Sequence, residues 1–172
     1  SSDTLKTGAK IEAYADAAWS DTENGTRLEF YTKDADNSFS KVLTLDSDKR
    51  ATFAGDVYTG EYIIATDTTT SSTTQGGSLN LTCDDGAAMG DDHRLGVVTF
   101  RGAEDGSSTL RTAAKIESFA DAAWSGTENG GRLVFSTNDA DNSVSTVLTL
   151  DSDKLATFAG AVTVTGALTG TL

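Results

Sequence analysis

The chain has 172 residues and a formal net charge of −13, from 26 acidic and 13 basic side chains, with no proline, one cysteine and one histidine. That charge argues against nucleic acid, whose binding draws on Lys and Arg at phosphates, and equally against anionic membrane surfaces. No stretch approaches the roughly 18 apolar residues of a membrane-spanning helix, and the lone Cys83 excludes an intrachain disulfide, which fits assembly in a reducing compartment.

Along the chain the dominant pattern is short alternation bounded by Gly, Asn, Asp and Ser, the signature of strands and turns. The first departure from it is ADAAWS at 15–20, Ala-rich and free of β-branched residues, which reads as one helical turn. Leu28, Phe30 and Thr32 then share one face of a strand, followed by the polar run KDADNS. Leu43 and Leu45 alternate next, DSDK at 46–49 reads as a hairpin turn, and Ala51 and Phe53 alternate before Gly55. Residues 67–75 (DTTTSSTTQ) are a low-complexity Ser/Thr stretch, either a flexible linker or, the reading preferred here, a polar β segment, since Thr favours strands. Leu79, Leu81 and Cys83 alternate as a further strand before the turn DDG. Leu133/Phe135, Leu148/Leu150 and Ala156/Phe158 then repeat the earlier strands. Many short strands with regular turn signals predict an all-β chain.

That repetition is close. Residues 2–57 recur at 107–162 with an offset of 105 and no gap, and 42 of the 56 aligned positions are identical. The organisation expected is a partial first repeat unit at 1–66, a connector or shaft segment at 67–75, and a second, more complete unit at 76–172. Ser1 aligns with Gly106, inside the unit, so the sequence reads as a piece of something longer. Duplication on this scale points to a modular structural protein before it points to chemistry.

Leu, Ile, Val and Phe make up about a fifth of the residues, which with this net charge lies at the border of disordered composition. A lone chain would build a thin core, yet the alternation is too regular for disorder. Several chains sharing one core reconcile the two. Without proline, one common protection of strand edges is missing as well. The expected packing residues are Trp19, Leu28, Phe30, Leu43, Leu45, Phe53, Leu79 and Leu81, then Trp124, Leu133, Phe135, Leu148, Leu150 and Phe158. Trp19 and Trp124 hold equivalent places and read as packing anchors beneath a loop rather than as sugar-stacking rings. Differences between the copies such as Glu29/Val134, Lys41/Thr146 and Arg50/Leu155 fall where side chains are expected to face outward.

The stretch from GGSLNLTCDDG at 76 to ATFAGAVTVTG at 156–166 resembles bacteriophage tail-fibre proteins of marine and environmental phages. The resemblance is carried by Arg132, Leu133, Phe135, Thr137, Ser145, Leu148, Leu150, Asp151, Ser152, Lys154, Ala156, Thr157, Phe158, Gly160, Val162, Val164 and Gly166. It implies a homotrimer with intertwined β-structure (β-helix, β-prism or sandwich-like units), other virion proteins as partners, attachment to a host-surface glycan or protein, and a place in the virion after assembly in the host cytoplasm. A bacterial or prophage-encoded adhesin, a virion head fibre and a polysaccharide-degrading tailspike are the alternatives. The family's Ser/Lys autoproteolytic pair has no counterpart here.

Candidate chemistry is sparse. DADNS at 34–38 and 139–143 opens like a calcium loop, but Phe39 and Leu45 stand where an EF-hand needs Gly and Glu. A turn in which Asx side chains bond their own backbone is the better reading. Asp84, Asp85, Asp91 and Asp92 flank GAAMG and could be paired for glycoside hydrolysis, though acidic surface loops account for them. His93 lacks the companions of a catalytic triad or of a zinc site within one chain. The expectation is no enzyme, no catalytic residue, no cofactor and no metal.

Overall fold

A computed structural model describes residues 5–139 and 141–167. Among these residues the regular structure is all strand, in two antiparallel sheets. The chain divides into two compact units, Ser1–Ile64 and Ala65–Leu172.

The first unit is a four-stranded meander of β1 (Ala9–Ala15), β2 (Thr26–Lys33), β3 (Phe39–Leu45) and β4 (Ala51–Phe53), paired in that order. The second is a five-stranded meander of β5 (Arg94–Ala103), β6 (Leu110–Ala120), β7 (Gly131–Asn138), β8 (Val144–Leu150) and β9 (Ala156–Phe158). Strands β6–β9 repeat β1–β4 in register, and in the second unit β5 pairs with β6 ahead of them.

The turns follow from the sequence. Between β2 and β3, the Asp34 N–H bonds the Ser38 carbonyl at 2.9 Å and the Asn37 N–H bonds the Asp34 carbonyl at 3.0 Å, with Asn37 at φ 74. This is a type I turn closed by a left-handed residue, a common three-residue hairpin loop, and Asn tolerates that conformation. Between β3 and β4 the same loop is built on Asp46 and Arg50, but its left-handed residue is Lys49 at φ 66, repeated at Lys154 with φ 67. Loop 16–25 is pinned from two sides: the Trp19 indole N–H bonds the Gly25 carbonyl at 3.3 Å, and Asp16 accepts the Ser47 N–H at 3.2 Å and its hydroxyl at 2.7 Å.

Three expectations need correction. The ADAAWS segment is not helical: its first residue ends β1 or β6 and the remainder is loop, because the Trp indole is bonded across the loop rather than along a helix. Leu79–Cys83 has no regular structure and pairs with no described strand, so its alternation does not make it part of the sheet. The Ser/Thr stretch 67–75 is not a strand either. The Asp67 carboxylate accepts the Thr69 N–H at 2.9 Å and the Gly76 N–H at 3.0 Å, which ties the segment back on itself.

The left-handed lysines give a direct test. An L-residue with a Cβ in this region costs about 1–2 kcal/mol and glycine does not. Lys154→Gly is expected to stabilise the second unit by about 0.5–1 kcal/mol after glycine's own entropy cost, read as a higher denaturant midpoint at unchanged slope.

Candidate interaction faces

Register divides the side chains of the first sheet cleanly. Ile11, Phe30, Leu43 and Phe53 lie across the four strands in one row, and Ala13, Leu28, Leu45 and Ala51 in the next, all on one face. A bulge between Phe30 and Tyr31 adds Val42 to the groove lined by Phe30, Leu43 and Phe53. The second sheet repeats this: Val98, Ile116, Phe135, Leu148 and Phe158 form one row, and Ser118, Leu133, Leu150 and Ala156 the next. Val147 joins the equivalent groove.

Little covers these faces within one chain. Ile11 is 65% exposed, and Phe53 and Phe158 are each 51% exposed. Leu28, Leu45 and Leu150 are also exposed, whereas Phe30, Leu43, Leu133, Phe135 and Leu148 are half-buried by their neighbours in the row. Leu79 and Leu81 are exposed too, but Leu81 lies against Gly96, where an added Cβ would come within 2.9 Å of its own Cβ. The apolar groove there is shared by Leu81, Val98, Ile116 and Leu133. Trp19 is exposed and Trp124 half-buried, its indole N–H bonding the Gly130 carbonyl at 2.9 Å.

The opposite face is the better sealed one, which corrects the expectation that Glu29 and Val134 point into solvent. Glu29 is 5% exposed and Val134 9%. In the first sheet long side chains lie flat over Glu29. Arg27 Nε donates to its carboxylate at 2.8 Å, Lys41 Nζ at 3.2 Å, and the Tyr31 hydroxyl donates to its other oxygen. Lys10 Nζ bonds Glu12 at 2.9 Å and sits 4.3 Å from the Tyr31 ring centroid. The Arg27 guanidinium lies 5.0 Å from that of Tyr14. Such side chains cover a sheet with their stems while their heads stay hydrated. Hydrogen bonds from Tyr31 and Arg27, with Lys41 behind them, hold the Glu29 carboxyl down to about 2, and the same contact pushes the Tyr31 phenol up.

In the second sheet this cluster is dismantled as a set. Val134, Ser136 and Thr146 replace Glu29, Tyr31 and Lys41, three residues in mutual contact in the first. Arg132, which has lost the Glu29 equivalent, pairs instead with Asp92 at 2.5 Å and keeps Asp121 at 3.3 Å, as Arg27 pairs with Asp16. The linked differences at 29/134, 31/136 and 41/146 were the available signal of this face in the sequence, and a residue-by-residue reading of the repeat passes over it.

The other candidates are engaged locally. Asp36 accepts the Ser38 N–H at 3.0 Å and its hydroxyl at 2.6 Å, which lowers its carboxyl, and Asp141 repeats this with Ser143. Asp84 and Asp85 each accept a backbone N–H two residues on, from Gly86 and Ala87. His93 Nδ1 accepts the Gly90 N–H at 3.2 Å, and the His93 carbonyl accepts the Ala120 N–H at 2.9 Å. Among the described residues no group of three or more His, Cys, Asp or Glu side chains is gathered to hold a metal ion.

No protein-family model matches the chain, and no curated protein sequence does. Among solved structures, the carboxy-terminal domain of the bacteriophage T5 L-shaped tail fibre is similar over 98% of this chain and 82% of that one, at 10% identity and a TM-score of 0.41. A likeness that distant carries no argument of its own.

Two outcomes test the sealed face. Glu29 has a folded value near 2 against an ordinary 4.5. Its contribution to stability is therefore full above pH 4.5 and lost as pH falls through 2. A carbon-detected carboxyl titration should place its midpoint near 2, and Glu29→Gln should remove that part of the acid sensitivity of the first unit. Separately, Glu29→Val alone leaves Arg27 and Lys41 without their partner and should lower the melting temperature more than the triple exchange to Val, Ser and Thr, which copies the second sheet. Equal losses would show that the three positions are independent.

Proposed function

We propose that this chain is a structural, non-enzymatic segment of a phage tail fibre, assembled as a homotrimer in which the apolar sheet faces of three copies enclose a shared core. In this reading the protein belongs to the virion. Its work is mechanical reach toward a host surface and display of polar loops there, with other virion proteins as neighbours along the fibre.

The observation that carries the reading is surface area. The chain exposes 13805 Å². A compact chain of its 17.9 kDa would expose about 8,000 Å², and two separately compact units of these sizes about 9,600 Å² together. The chain therefore exposes roughly 4,000 Å² more than two compact units would. Part of it lies in the apolar rows, where Ile11, Phe53 and Phe158 are half exposed or more, and part outside the sheets, at Tyr58, Tyr62, Ile63, Ile64 and Leu79. The sequence resemblance to tail fibres supplies the number three and the setting. The repeat supports a role in extension, since a unit copied with its apolar rows intact is what a shaft requires.

Native mass measurement should give a trimer at micromolar concentration. Phe53→Glu combined with Phe158→Glu places a charge in each apolar row and should release monomers. A wild-type chain that stays a folded monomer overturns the proposal.

A further inference from the structure

We propose that Asn24 is the site of a self-catalysed covalent modification, in which the main-chain nitrogen of Gly25 closes onto the Asn24 side chain while the Glu23 carboxylate takes up its proton. The loop belongs to the first unit, and the chemistry is independent of how many chains assemble.

Glu, Asn and Gly stand side by side at 23–25, and again at 128–130. Asn24 is exposed, so water reaches its amide. The Gly25 N–H lies just ahead of β2, outside the ladder, and donates to Glu23 Oε1 at 2.6 Å. A general base must be within hydrogen-bond reach of the proton it takes, and a charge-assisted contact of this length is among the stronger ones. Glycine is needed for the contact. A Cβ at position 25 would come within 2.7 Å of the same carboxylate oxygen and 3.0 Å of the Ser47 hydroxyl. The missing Cβ also leaves the nitrogen free to approach its neighbour's side chain.

The step balances within the loop. The Gly25 nitrogen forms a bond to Asn24 Cγ as its proton passes to Glu23. The Cγ–Nδ2 bond breaks, Glu23 hands the proton to the leaving nitrogen, and ammonia departs. A cyclic imide remains. Water opens it at either carbonyl, giving aspartate or, where the main chain now runs through the side-chain carbon, isoaspartate. The net change converts an amide and water into a carboxylic acid and ammonia, with no oxidant, reductant or cofactor.

The two copies should react unequally. The Gly130 N–H meets Glu128 Oε1 at the same 2.6 Å, but Asn129 Nδ2 donates to the Ser125 carbonyl at 3.2 Å, which holds the leaving group in place. Among the described residues none of the hydrogen bonds of loop 16–25 involves the Asn24 side chain. The consequence is local as well. The Gly25 carbonyl accepts the Asp16 N–H at 2.9 Å and the Trp19 indole N–H at 3.3 Å. Isoaspartate lengthens the main chain directly ahead of Gly25 and sets a new carboxylate beside Glu23, so the modification loosens the anchor of the Trp19 loop in the first unit.

The test follows both sites in the full chain, folded and in guanidinium, by peptide mapping with mass spectrometry and isoaspartate-specific methylation after incubation in mildly alkaline buffer. In the folded chain isoaspartate should accumulate at position 24 several times faster than at 129, and in denaturant the two should react alike. Glu23→Gln keeps an oxygen to accept the Gly25 N–H but supplies no base. It should slow position 24 by about tenfold or more in the folded chain and leave the rate in denaturant as it was. An Asn24 that stays intact in the folded chain overturns the proposal, as do equal folded-state rates at 24 and 129, or a Glu23→Gln chain that reacts as fast as the unaltered one.

Discussion

A single sheet has two faces, and one layer of strands can seal only one of them with its own side chains. Every other feature of this chain follows from how that constraint is met. On the charged face, Lys10, Arg27, Tyr31 and Lys41 are long enough to lie down over their neighbours, so Glu29 is buried without any second layer. On the apolar face, Ile11 and Phe53 are more than half exposed, and Phe30 and Leu43 between them are half-buried by their neighbours in the row. Leu and Phe gain from burial only when another apolar surface arrives, at about 25 cal/mol per Å² removed from water. A domain normally supplies that surface as a second layer of its own. Here Leu81, set against Gly96, does so for the second unit. The low share of large apolar residues is thus matched to a half-built core.

The two copies amount to an exchange experiment on the sealed face. Strand lengths, turns and apolar rows are kept, while Glu29, Tyr31 and Lys41 become Val134, Ser136 and Thr146. Glu29 and Val134 occupy the same buried place, one surrounded by donors and the other not. Exchanging a whole ionic cluster leaves no charged partner stranded within it, whereas removing one partner is costly. This explains why the three positions differ together. The stranded Arg132 finds Asp92, a residue from ahead of β5, so in the second unit the strand at the edge and the charges on the face are coupled. In the first unit Arg27 keeps Glu29 and Asp16 and has no such need.

What was legible in the sequence was the punctuation. Asp34, Asn37, Asp46 and their copies sit in the turns their side chains favour, and Leu28/Phe30, Leu43/Leu45 and Ala51/Phe53 alternate in strands with the expected common face. β1 was not legible because Ala, Lys and Glu are poor strand formers; it is held by pairing with β2 and not by propensity. β5 and β6 escaped for a related reason, since their Gly and Ala positions blur the alternation. Leu79–Cys83 misled in the other direction: alternation marks a strand only where a neighbour offers hydrogen bonds. Hydropathy does not show which face is covered, because a flat-lying Arg or Tyr covers more sheet than an upright Leu.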